Sequence, residues 1–146
     1  MCIRDRLSGT GLTPPAIGVS SASLGFATQA VGQPSLPQSI IITNTGQASM
    51  AGVDFAISPA SGSGFSCSPN ACSVLACAAL ASGASCSVQV VFTPTAAGGA
   101  SAQLVLTSPT AGVAPASVQL TGNGLAASGL NASPPQLLFP LSLIHI

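Results

Sequence analysis

Apolar and polar residues alternate along "CSVQVVFTP" (Cys86–Pro94), and this period of two constrains the fold more than any other feature of the chain. Successive side chains of a strand point to opposite faces. Cys86, Val88, Val90 and Phe92 therefore share one face, and Ser87, Gln89 and Thr93 the other. Pro94 ends the run, because it has no amide hydrogen to give to a ladder. The same pattern sets Ala102, Leu104 and Leu106 against Gln103 and Thr107 in "SAQLVLTS", and Val118 and Leu120 against Gln119 and Thr121 in "ASVQLTGNG". "QSIIITNTG" turns Ile40 and Ile42 inward and then predicts a turn at Asn44–Gly46, where Asn and Gly tolerate left-handed backbone. Shorter strands are predicted around Leu24–Ala27 and Gly52–Ile57. "SVLACAALA" could form a helical turn, but its Ser and Gly flanks favour a loop, and no other stretch has a helical period.

About seven short strands, each with one apolar face to bury, predict an all-β fold: an immunoglobulin-like antiparallel β-sandwich. Its core should hold Ile40, Ile42, Val88, Val90, Phe92, Leu104, Leu106, Val118 and Leu120, the inward positions of the four clearest strands.

The chain also repeats itself. "LTGNGL" (Leu120–Leu125) restates "LSGTGL" (Leu7–Leu12) at an offset of 113 positions, and at that offset "VSSASLGF" (Val19–Phe26) returns as "ASPPQLLF" (Ala132–Phe139). Fixed self-similarity is the mark of tandem units, and this period is that of a whole small domain. Residues 7–11 thus read as the end of a preceding copy, 12–125 as one complete module, and 126–140 as a linker and the first strand of a following copy. The extreme ends break the pattern. "MCIRDR" (residues 1–6) holds both arginines and Asp5, and "LSLIHI" (residues 141–146) holds the single histidine, His145. Both strings resemble translated sequencing-adaptor read-through and are set apart as non-native tails. The native start, and a signal peptide with it, is then expected to lie outside this sequence.

Between Leu7 and Pro140 the only charged side chain is Asp54, and Lys, Arg, Glu, His, Trp and Tyr are missing altogether. Nucleic-acid binding draws most of its affinity from Lys and Arg on phosphates, so nucleic acid is excluded as a partner. Anionic membrane surfaces ask for the same residues. No run of strongly apolar residues is long enough to span a bilayer, so no membrane insertion of this module is expected. One aspartate cannot supply an acid–base pair. No G-x-S-x-G elbow accompanies the many serines, and no histidine stands ready to activate one. The module is therefore expected not to be an enzyme and to need no cofactor or metal. Asp54 alone lacks the oxygen ligands that calcium requires and reads as a solvent-facing or turn-capping residue. "NAS" at Asn131 fits a glycosylation sequon, which reads as chance in a bacterial chain.

"SLGFATQAVGQPSLPQSIIITNTG", "GASCSVQVVFTPTAAG" and "VQLTGNG" together resemble the hydin-like (ASH) domains of bacterial choice-of-anchor D proteins, over nearly all of Ala16–Gly124. The resemblance implies an immunoglobulin-like sandwich related in fold to major sperm protein, frequent occurrence in tandem, and a bacterial secreted or cell-surface setting. Eukaryotic relatives of such domains sit in cilia and centrosomes. Two features depart from the family. Ser58–Leu75 is longer than usual and carries extra cysteines, and the surface lacks scattered charges.

Apart from Cys2, four cysteines cluster at Cys67, Cys72, Cys77 and Cys86, with four, four and eight residues between them. Four cysteines can pair in three ways. A four-thiolate zinc site and free buried thiols are the other readings, although zinc sites favour tight CxxC pairs and none is present. The family resemblance implies a Cys77–Cys86 disulfide, which leaves Cys67–Cys72 as a clip within the longer loop.

The expected role is a structural spacer module of a tandem-repeat bacterial surface or secreted protein, with neighbouring repeats of the same chain as its partners. The alternative is an adhesion or protein-binding module, possible partner another surface protein, that uses the loop Ser58–Leu75 through Gly64, Phe65, Ser68, Pro69 and Asn70. A third reading, an intracellular ciliary or centrosomal scaffold, would require reduced cysteines.

Overall fold

The computed structural model describes residues 9–59, 61–67 and 77–126. Regular structure among these residues is all strand: β1 (Ile17–Val19), β2 (Ser23–Gly25), β3 (Gln29–Ala30), β4 (Gln38–Asn44), β5 (Asp54–Ser58), β6 (Phe65–Cys67), β7 (Ser85–Phe92), β8 (Gly98–Thr107) and β9 (Ala116–Leu125). One sheet has the order β1-β4-β7-β6 and the other β2-β9-β8-β5, with β3 also paired to β9. Two such layers closed over a shared core make an immunoglobulin-type sandwich.

Alternation places the core. On β4, β7, β8 and β9 the buried residues are Ile40 and Ile42, Val88, Val90 and Phe92, Ala102, Leu104 and Leu106, and Val118 and Leu120. They fall at every second position, as two facing sheets require. Register brings them together: Ile40 lies opposite Val88, Leu104 opposite Val118, and Ala102 opposite Leu120. Phe26, Phe65 and Phe92 fill one end of this core, with ring centroids 4.7 Å apart for Phe65 and Phe92, 5.6 Å for Phe26 and Phe65, and 6.1 Å for Phe26 and Phe92. Such offset and tilted pairs add to the apolar burial of each ring.

The sandwich departs from the sequence expectation in two respects. It has nine strands among the described residues rather than about seven, and it is not wholly antiparallel. Both differences arise chiefly at the N-terminal edge. The chain pairs first with β4 as β1, then crosses to the other sheet and runs parallel to β9 as β2 and β3. Phe26 interrupts that edge by turning its ring into the core, where it is 8% exposed. The remaining extra strand is β6, whose three residues are too few for a period of two to be visible.

Asn44, predicted to open a turn, does so as the last residue of β4, with the chain bending at residues 46–48, and its side chain is fully buried. A polar side chain is tolerated there only because its amide is satisfied on both sides. Asn44 Nδ2 donates to the carbonyls of Ala48 (2.8 Å) and Leu80 (3.0 Å), and its Oδ1 accepts from the backbone N–H of Ala16 (3.3 Å) and Gly46 (3.1 Å). One residue thereby ties the incoming chain, the turn after β4 and the loop before β7.

Candidate functional site

The predicted binding loop divides into parts. Phe65 belongs to β6, is 6% exposed and stacks on Phe92, so it is a core residue and not a contact residue. Gly64 is likewise structural. It has φ +75°, its carbonyl accepts from Thr93 N–H (2.7 Å), and a Cβ there would lie 2.6 Å from the Thr93 carbonyl oxygen. Ser63 is buried and donates to the Pro59 carbonyl at 3.3 Å. Gly62-Ser63-Gly64-Phe65 reads as part of a binding loop in the sequence because a lone aromatic among glycines carries no periodic signal. Ser68, Pro69 and Asn70 lie outside the described residues.

Cys77 and Cys86 form a disulfide with their Cα atoms 5.7 Å apart. It joins the loop before β7 to the second residue of that strand. Cys77 is 1% exposed, and its carbonyl accepts from Val53 N–H (3.0 Å), so the link is part of the packed interior. Cys67 is also disulfide-bonded, while Cys72 lies outside the described residues. No group of three or more His, Cys, Asp or Glu that could hold a metal is found among the described residues. Asp54 is exposed on edge strand β5, opposite Thr107. No helix of the described residues is long and apolar enough to cross a membrane.

Surface depressions among the described residues include one of about 370 Å³, which lies between Pro59, Ser61, Gly62 and Ser63 on one side and the β7–β8 turn with the start of β8, Pro94–Ser101, on the other. Another, of about 330 Å³, is lined by Phe26, Ala27, Gln29, Ser35, Leu36 and Gln38 beside the interrupted edge strand. Neither holds a charged side chain.

The most defined feature is where the path of the described residues enters and leaves the sandwich. Ile17 begins β1 opposite Asn44, the last residue of β4. The path then runs antiparallel to β4 and parallel to β9 until Ala30 lies opposite Leu125, the last residue of β9. The chain therefore comes in at the pole of the Asn44–Ala48 turn and goes out at the opposite pole, beside Val31, Gly32 and Pro94. There the N–H groups of Val31 and Gly32 donate to the Leu125 and Pro94 carbonyls (2.9 Å each). β9 has ten residues, which sets a pole-to-pole length of roughly 30 Å.

This architecture is an ASH/PapD-like immunoglobulin fold. The structure is similar to the ASH/PapD-like domain 7 of human CEP192, with TM-score 0.53 and 18% identity over 88% of this chain and 99% of that one. It is also similar to part of the Vibrio cholerae VesB protease (TM-score 0.58, 20% identity, 73% of this chain) and to the periplasmic chaperone SfaE (TM-score 0.52, 8% identity, 77% of this chain and 60% of that one). The chain matches 31% of the length of VesB. No family model matches the chain, and no curated protein matches it.

Proposed function

We propose that this domain is a non-catalytic spacer module in a tandem array on a bacterial secreted or cell-surface protein, of the choice-of-anchor D kind. The observation that carries this reading is the position of its ends at opposite poles, which lets copies follow one another in an extended line. The 113-residue repeat of "LSGTGL" and "LTGNGL" supplies the register of such a line. The Cys77–Cys86 disulfide favours an oxidising compartment, as does the likeness to a periplasmic chaperone. One charged residue in the whole module gives little material for acid–base chemistry.

Sequencing the parent gene outward from Leu7 and Pro140 tests the proposal. Further copies at the same period, with a signal peptide or terminal anchor, are expected. A single copy fused to a catalytic domain would overturn it. The second reading, protein binding, is favoured by the likeness to a chaperone domain. With Gly64 and Phe65 committed to the fold, its contact surface would be the exposed Pro59, Ser61 and Gly62 with the neighbouring β7–β8 turn.

A further inference from the structure

We infer that this module is held pole to pole to the preceding copy of the module by a fixed joint, formed by Thr13–Ala16 clamped onto the Asn44–Ala48 turn. This rests on the tandem reading and adds to it a geometry. At the 113-residue offset Leu12 is the counterpart of Leu125, the final residue of β9, and β1 begins at Ile17. Only Thr13, Pro14, Pro15 and Ala16 separate one module's last strand from the next module's first.

All four are held. Thr13 N–H donates to Gln47 Oε1 (3.0 Å), and the Thr13 carbonyl accepts from the N–H groups of Gln47 and Ala48 (3.2 Å each). The Gln47 N–H is shared with Thr13 Oγ1 at 3.2 Å. Pro14 and Pro15 have fixed φ and no N–H to satisfy. Pro15 is buried against Gly46, where a Cβ would meet the Pro14 carbonyl oxygen and lie 2.5 Å from Pro15 Cα. Ala16 N–H donates to Asn44 Oδ1, and its carbonyl accepts from Thr45 N–H (3.0 Å).

A flexible tether needs residues whose backbone is solvated and unconstrained, and this segment contains none. Four residues reach at most ~14 Å, so the two poles must lie close together. Asp54, exposed at the start of β5 opposite Thr107, is the one charged side chain at the entry pole, and the exit pole beside Leu125 carries none among the described residues. The joint thus fixes the path by which the preceding copy's last strand hands over to β1 at this junction, whereas the counterpart residues after Leu125, Ala126, Ala127, Ser128 and Gly129, lack the threonine and prolines of the clamp.

Backbone ¹⁵N relaxation and amide exchange on the full chain test this at Thr13, Ala16, Gln47 and Ala48. Order parameters there should match those of β1 and β4, near ~0.85, and values below ~0.6 with rigid strands would overturn the joint. In Gln47→Ala, the Thr13 amide should exchange roughly two- to tenfold faster, the loss of one net hydrogen bond, while β4 and β7 stay unchanged. An unaltered Thr13 rate would also overturn it. A parent gene with a single copy would overturn the array, and with it the partner, but would leave the amide data as they are. The two failures are therefore separable.

Discussion

The ring of Phe92 lies directly against the backbone of Gly122, so closely that a Cβ on residue 122 would sit 2.6 Å from Phe92 Cε1. Gly122 faces inward on β9, two positions beyond Leu120, and it makes the space that the largest buried side chain occupies. Gly124 plays the same part for the β7–β8 turn, where a Cβ would meet the Ala96 carbonyl oxygen and lie 2.8 Å from Pro94 Cβ. The glycines of "LTGNGL" are thus the inward positions of a strand whose neighbours need the room.

Gly122→Ala should therefore destabilise the fold by ~1–3 kcal/mol through overpacking. Thermal unfolding of the single variant and of Gly122→Ala with Phe92→Leu checks this. The second substitution should cost less in the Gly122→Ala background than alone, because the two sites share one space.

Asn44→Ala should cost at least ~2 kcal/mol, since it strips partners from several backbone groups around a buried site. Denaturant unfolding should show the loss as a lower midpoint. An unchanged midpoint would mean that water replaces the amide without penalty.

Reduction should lower stability by about 2–3 kcal/mol for the short loop closed by Cys77 and Cys86. Before reduction, alkylation followed by mass measurement should add nothing to Cys67, Cys77 or Cys86.

Leu104→Ala should cost ~2–5 kcal/mol, because its side chain is fully buried where the two sheets face each other. The exposed Gln103→Ala, one residue away, should change the melting temperature very little.

The core was legible in the sequence because four long strands each bury every second residue, and a period of two survives in any such strand. Residues whose role is set by a partner far along the chain were not. Asn44 followed by Thr and Gly carries an ordinary turn signature, and nothing local says that its amide points inward toward Leu80, 36 positions away. Phe65 is read from its neighbours as part of a loop, whereas its place is decided by Phe26 and Phe92. The crossing of the first strand between sheets leaves no mark either, since β1, β2 and β3 have only two or three residues each.

That crossing has a mechanical consequence. β2 and β3 run parallel to β9, and tension applied through the two ends of the module would drag these strands past one another lengthwise. β1 and β4, being antiparallel, add a second lap joint on the opposite sheet. Force would load the rows of hydrogen bonds together rather than peel them one by one. A link built in this way yields late and all at once, which single-molecule pulling on the chain would register as one tall force peak per module.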